Sequence, residues 1–173
     1  DMMVFDHISL QLQLNQIIAI KGRTGSGKST FADIMTRLLP INRGQILLQG
    51  RPIESYPLTV YRELVSYLPQ QPLLFSGTTV RFNLDPHNHR SDQEIFEVVE
   101  SVSSHLYQKL HEGLPDQLLT ICTGNTSFSQ GEIHLLAICR LLLQTHQPLL
   151  IIMDEITASL DQNATTIIFD IIK

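Results

Sequence analysis

Residues 22–29, Gly22-Arg23-Thr24-Gly25-Ser26-Gly27-Lys28-Ser29, fit the pattern GxxxxGK[ST], with Thr30 following. Each residue type has a chemical reason to stand where it does. The glycines let the backbone turn tightly and present successive N–H groups to phosphate oxygens. A helix opening near Lys28 adds its positive dipole end. The lysine ammonium reaches the β and γ phosphates, and the Ser29 hydroxyl is a hard oxygen ligand suited to Mg²⁺. A glycine-rich turn without a ligand is the plain alternative. The apolar run before the loop and the amphipathic pattern after it argue against that alternative, because the phosphate cradle requires both.

A phosphate loop needs a second carboxylate to hold the metal, and Leu150-Ile151-Ile152-Met153-Asp154-Glu155 offers a buried-strand pattern that ends in two acids. Asp154 is the expected Mg²⁺ partner, through water. Glu155, one residue on, is the expected general base for an attacking water. An acidic pair after a strand is by itself an ordinary solvated turn; its place beside a phosphate loop gives it meaning.

The elements that must position these groups are legible as periodicities. Alternation over 8–14 and an apolar run over 17–20 read as two strands, joined by a turn at Asn15-Gln16. A helix is expected over 28–39, closed by Pro40. Short strands are expected at 46–48, between Gly44 and Gly50, and at 65–68, stopped by Pro69. Apolar residues at three- and four-residue steps predict one helix over 91–111. Asp85, Asp92, Glu94, Glu97 and Glu100 accompany it as a solvated face. A helix over 129–144, a strand over 149–153 and a last helix from about Gln162 complete the order. This is an α/β chain with a helical insertion and no internal repeat.

Composition agrees. In 173 residues, 43% are hydrophobic and 17% charged, which excludes a disordered chain. A net charge of −5 argues against a nucleic-acid partner held through phosphates. Two cysteines, Cys122 and Cys139, are too few for a disulfide framework and indicate a reduced compartment. The most apolar run, 149–153, is far short of the about 20 residues that span a bilayer.

Taken together, the motifs resemble the nucleotide-binding domain of an ABC transporter, of the exporter type. Besides the phosphate loop and the acidic pair, the resemblance rests on Tyr67-Leu68-Pro69-Gln70-Gln71-Pro72-Leu73-Leu74-Phe75, which looks like the family's Q-loop. It also rests on 77–86, similar to exporter domains there, and on Ser159-Leu160-Asp161, which looks like the D-loop. It implies a P-loop NTPase core with a mixed sheet, N-terminal antiparallel strands and a helical signature subdomain. Residues 1–173 then form a single domain fragment, with 1–70 and 145–173 as core and 71–144 as Q-loop and helical subdomain.

The resemblance also implies ATP and Mg²⁺ as ligands, with Gln70 sensing the metal and the attacking water. It implies two partners: a transmembrane domain, on the same or another chain, and a second nucleotide-binding domain in a head-to-tail sandwich. The place of work is the cytoplasmic face of a membrane, the bacterial inner membrane, with the fragment itself soluble.

The signature Leu-Ser-Gly-Gly-Gln stands here as Phe128-Ser129-Gln130-Gly131-Glu132, a departure at three of five positions. Ser129 and Gly131 keep the family types and are expected to touch nucleotide bound by the partner. Ser129-x-x-Glu132 is also a capping box, which accounts for Glu132 without any ligand. The segment 120–127 lacks the Glu that exporters carry there. The adenine-stacking aromatic and the switch histidine lie beyond the two ends of this sequence, and the histidines present, His87, His89, His134 and His146 among them, are expected to be surface or packing residues. The isolated fragment is therefore expected to hydrolyse ATP weakly or not at all.

Three functions remain open: an ATPase driving export, a nucleotide-binding but weakly hydrolytic regulatory half, and a soluble non-transport ATPase. The stretch between Gln70 and Ser129 is too short for the coiled-coil arm of repair-type members.

Overall fold

A computed structural model of the chain describes residues 5–111 and 128–155. The described residues form two compact units: residues up to Tyr67 with Gln147–Asp154, and Leu68–His146 with Glu155.

The first unit is built around the phosphate loop. Helix α1 (Lys28–Met35) starts from Gly27, whose φ of 90° lies in the left-handed region that glycine tolerates. The helix stops short of the expected 39. Thr36 bonds back through its hydroxyl to the carbonyls of Ala32 and Asp33, and Arg37 adopts φ 58°, which ends the helix. Arg37 stands where glycine is usual because its guanidinium is used elsewhere: it donates to the Tyr56 carbonyl at 2.8 Å and lies over the Tyr61 ring.

Strands β1 (Leu47–Leu48) and β2 (Arg51–Pro52) pair antiparallel, Leu47 opposite Pro52 and Leu48 opposite Arg51. Gln49 and Gly50 turn between them with φ 51° and 77°. Positive φ at both central residues is the two-residue hairpin turn that matches strand twist. A 3-10 turn (Ile53–Ser55) leads to α2 (Leu58–Leu64) and then β3 (Val65–Leu68), which neighbours β4 (Leu150–Met153). Ile53, Tyr61 and Val65 form the core, with Ile46, Leu48, Tyr56, Leu64, Leu150 and Ile152 packed around it. Tyr61 is buried, and its hydroxyl is satisfied by the Met35 carbonyl at 2.6 Å.

The mixed α/β class stands, but the strands expected over 8–14 and 17–20 do not. No ladder joins 8–20 to a neighbour among the described residues, and Ile8, Leu14 and Ile17 are exposed. Alternation only makes a segment fit to be a strand; a strand exists where a partner supplies hydrogen bonds.

The second unit is helical. It contains α3 (Val80–Leu84), α4 (Asp92–Val102), α5 (Ser104–His111) and α6 (Gln130–Leu142). The single helix expected over 91–111 is two. Ser103 is extended, and its hydroxyl accepts from the Leu106 N–H, so the serine pair breaks one helix and caps the next. Ile95, Val99 and Val102 of α4, Leu106 and Leu110 of α5 and Ile133, Leu136 and Ile138 of α6 are nearly inaccessible, and α4 packs against both α5 and α6. Burying each such side chain contributes about 1.5–3 kcal/mol.

The acidic face is also corrected in part. Asp85 is buried rather than solvated, accepts from the Arg90 N–H at 2.7 Å and pairs with Arg81. Burial pushes its carboxyl up, but the Arg90 and His89 backbone donors and the Arg81 charge outweigh that and hold it below the ordinary range. Glu94 closes a capping box with Ser91. The segment 120–127, Ser159-Leu160-Asp161 and the helix expected from Gln162 lie outside the described residues.

Candidate functional site

In the first unit, the loop 22–27 is shaped by close approach. A Cβ on Gly22 would meet Ser26 Oγ at 2.4 Å, and Gly25 and Gly27 carry φ of 80° and 90°. A side chain at Gly22 would collide with that of Ser26, and glycine adopts the other two conformations without strain. Ser26 N–H closes a turn on the Arg23 carbonyl at 3.1 Å. Lys28 Nζ donates to the carbonyls of Gly22 and Arg23 at 3.1 and 3.3 Å, so its ammonium spans the loop from which it came. Gly27 supplies no side-chain cap to α1, and no acid stands in the first turn, which keeps that helix end suited to an anion. Arg23, Thr24 and Thr30 belong to the same loop and first turn.

Ser29 and Asp154 are 125 residues apart in sequence, yet Ser29 Oγ donates to Asp154 Oδ2 at 2.7 Å. Strand β4 carries the carboxylate to this point, and α1 carries the hydroxyl. Two hard oxygen donors converging on one spot are the donor set a Mg²⁺ ion takes. Tyr67 stands near enough for the Asp154 charge to act on it: burial raises its phenol first, and Asp154 and Asp33 raise it further.

In the second unit, Gln70 Nε2 donates to Glu155 Oε2 at 2.8 Å. Glu155 has φ 50°, a left-handed conformation uncommon for a residue with a Cβ. Such conformations persist only where surrounding structure imposes them, and they cluster at functional sites. The two ends of the Q-loop-like stretch are both held. Phe75 N–H donates to Asn83 Oδ1 at 2.7 Å, and the Arg140 guanidinium donates to the Asn83 carbonyl and lies over the Phe75 ring. At the other end, His134 of α6 places Nε2 3.0 Å from the Gln70 carbonyl.

The start of α6 is the capping box expected from Ser129-x-x-Glu132. Ser129 Oγ accepts from the Glu132 N–H, and Glu132 Oε2 accepts from the Ser129 N–H at 2.7 Å. Sequence reasoning missed the partner of Glu132: Lys109 of α5 donates to its Oε1 at 2.8 Å while lying over the Phe128 ring. His134, expected as a surface or packing residue, is the second of these and is buried between two carbonyls, a placement that the sequence reading does not specify. No sequence signal names Lys109, since a lysine on an exposed helix face is unremarkable. His134 had one: a polar residue at an otherwise apolar position of the helix. Gly131 lies in the first turn of α6.

The family model for ABC transporters matches residues 5–158. The chain is 36% identical to ABC transporter C family member 6 of Dictyostelium discoideum, over 93% of its own length and 12% of the relative's. It is 37% identical to ATP-binding cassette sub-family C member 8 of Rattus norvegicus, over 95% of its length and 10% of the relative's. It is 33% identical to the ABC transporter ATP-binding protein/permease VMR1 of Saccharomyces cerevisiae, over 98% and 11%. The chain thus spans about a tenth of the curated relatives it matches. Among solved structures, a bacterial Atm1-family ABC exporter with ATP bound aligns with a TM-score of 0.72 and 25% identity, over 86% of this chain and 25% of that one. With the phosphate loop, the Ser29–Asp154 contact and the matched span in hand, the chain belongs to the ABC transporter family, as a nucleotide-binding domain of the exporter type.

Proposed function

We propose that this domain binds Mg-ATP and hydrolyses it to drive export through a transmembrane domain, working as one half of a head-to-tail dimer of nucleotide-binding domains. The observation that carries the reading is the 2.7 Å contact of Ser29 with Asp154, which gives the phosphate loop its carboxylate. Gly22 to Gly27 cradle the phosphates through backbone N–H groups, with Arg23, Thr24, Ser26 and Thr30 in the same shell, and Lys28 leaves its loop carbonyls to neutralise the β and γ phosphates. Ser29 and, through water, Asp154 would hold Mg²⁺, with Gln70 as the further oxygen donor that the resemblance implies. When bound, that ion offsets the charge that develops on the phosphate oxygens.

Glu155 accepts a proton from water as the water oxygen attacks the γ-phosphorus. The bond from that phosphorus to the bridging oxygen breaks, and ADP carries the electron pair away. Gln70, hydrogen-bonded to Glu155, orients the carboxylate and the water. Ser129 and Gly131 contact the γ-phosphate bound by the opposing domain. Leu73 and Phe75, exposed beside Gln70, support a docking face for a transmembrane partner. No helix among the described residues is long and apolar enough to cross a membrane, which fits a domain that meets its membrane through such a partner, at the cytoplasmic face. Matches in Dictyostelium, rat and yeast mean that this membrane need not be the bacterial inner one.

Glu155→Gln in the full-length protein tests the reading. We expect turnover to fall by about 10²-fold or more, the scale of a lost general base, while ATP binding survives. Unchanged turnover would remove Glu155 from the mechanism.

A further inference from the structure

We infer that His134 is a positioning residue for the Q-loop: from the signature helix it holds the backbone of Gln70, and through Gln70 it sets the place of the Glu155 carboxylate. The inference rests on the proposed roles of Gln70 and Glu155. His134 is 4% exposed, the only histidine among the described residues that is buried. Its ring lies between two carbonyl oxygens, with Nδ1 2.8 Å from Gln130 O and Nε2 3.0 Å from Gln70 O.

Both neighbours are carbonyl acceptors, so a neutral ring donates to one of them at a time, and the tautomer that carries its proton on Nε2 is the one that holds the loop; the first neighbour is one turn back on its own helix. The second crosses 64 positions of sequence to the Q-loop. Gln70 then donates from its amide to Glu155 Oε2 at 2.8 Å. Backbone and side chain of one residue are therefore linked in series, from α6 through His134 to Gln70 and on to Glu155.

The far end of the same loop is tied to the same helix. Arg140, six positions after His134, donates to the Asn83 carbonyl at 2.6 Å, and Asn83 accepts from the Phe75 N–H. Helix α6 therefore grips both ends of 70–75, one end by an imidazole and the other by a guanidinium. A loop held only at Phe75 would leave Gln70 free to swing, and a displacement near 1 Å at a water-orienting group is enough to slow a reaction about 10²-fold. What the His134 contact supplies is the near end of that grip.

Two substitutions separate the hydrogen bond from simple packing. The amide nitrogen of glutamine stands about where Nε2 does, so His134→Gln keeps a donor for the Gln70 carbonyl. The amide nitrogen of asparagine stands about where Nδ1 does, so His134→Asn keeps the contact within α6 and loses the one to the loop. In the full-length protein we expect His134→Asn to lower kcat for ATP hydrolysis by about five- to tenfold, the scale of one hydrogen bond, with KM for ATP changed less than about twofold.

His134→Gln should recover at least about half of the wild-type kcat. Hydrogen exchange of peptides spanning 69–75 should quicken in His134→Asn and not in His134→Gln, with α6 itself unchanged. Wild-type kcat and exchange in both variants would overturn the inference. So would equal losses in both, with KM rising and α6 exchanging faster, because that pattern is packing alone. Should Glu155→Gln turn over like wild type, the reading of Glu155 fails, and the exchange of 69–75 still decides whether His134 holds Gln70.

Discussion

Glu155 and Asp154 both carry carboxylates and are sequentially adjacent, yet their surroundings differ, as the proposed roles require. Asp154 faces a hydroxyl donor, Ser29, and has the geometry of a ligand. Glu155 faces an amide donor, Gln70, from a left-handed backbone, which supports the proposed role as general base. Lys28 donates to two carbonyls of its own loop, so binding phosphate as proposed would replace neutral acceptors by a charged one, a gain of roughly twofold per bond.

The same scale of argument predicts inertness elsewhere. Cys139 is fully buried in α6, and burial pushes its thiol up to about 12, so almost no thiolate exists near neutrality. Alkylation by iodoacetamide at pH 8, read by peptide mass, should leave Cys139 unmodified in the native protein and label it only in denaturant. Labelling at the native rate of a free thiol would contradict the burial of α6.

At the scale of elements, the start of α6 shows how a carboxylate in place of an amide is accommodated at a helix N-terminus. Glu132 turns back onto the Ser129 N–H at the helix start and is met there by Lys109, so its charge is balanced locally. Burial raises the Glu132 carboxyl, but the Lys109 bond and the Ser129 backbone and hydroxyl bonds outweigh it and leave it below the ordinary range. A carboxyl lowered in the folded state stabilises above its unfolded value, and the contribution is lost as pH falls through the folded value.

Lys109→Met should therefore destabilise the domain by no more than about 1 kcal/mol at pH 7, a figure already discounted for partial exposure. The deficit should shrink between pH 7 and an acid pH below the ordinary glutamate range, as Glu132 takes up its proton through its lowered folded value, leaving the lost Phe128 contact of about 0.5 kcal/mol. Adding Glu132→Gln should recover part of the pH 7 deficit. Urea denaturation at the two pH values measures both, and a deficit independent of pH would mean that the pair contributes nothing electrostatically.

Elements also show where sequence reading succeeds. Strand β3 is expected and found at Val65–Leu68, because Pro69 ends it whatever the tertiary context. The capping boxes at Ser91 and Ser129 are likewise local chemistry, and Ser129-x-x-Glu132 is the one expected from sequence. The β1–β2 hairpin was available in Gln49-Gly50 but not read, since glutamine is an unusual first residue for a turn with positive φ at both positions. The 8–14 and 17–20 strands were over-read because pairing is not a property of one segment. Ser29–Asp154 was legible as two motifs; Gln70–Glu155, His134 and Lys109 were not legible as contacts, because each depends on how distant segments pack.

For the whole molecule, the open matter is what stands opposite the phosphate loop. The chain covers about a tenth of its curated relatives, so the opposing signature can belong to a second copy or to another domain of a longer chain. In a head-to-tail pair, each site takes its phosphate loop from one domain and its Ser129 from the other. Lys28→Ala spoils the first contribution and Ser129→Ala the second, so a dimer of either variant alone has two damaged sites. A mixed dimer concentrates both defects in one site and leaves the other intact.

If the partner is a second copy, full-length Lys28→Ala and Ser129→Ala proteins, unfolded from each other's dimers and reassembled at equal amounts, should recover about a quarter of wild-type turnover, since about half the dimers are mixed and each has one intact site. Recovery at that level would place Ser129 in the partner's site and argue that Phe128, Gln130 and Glu132 still permit hydrolysis there. No recovery, with wild-type protein active under the same treatment, would exclude a symmetric pair of copies and favour a different opposing domain. In that case the departures at Phe128, Gln130 and Glu132 would mark the weaker, regulatory half of an asymmetric pair.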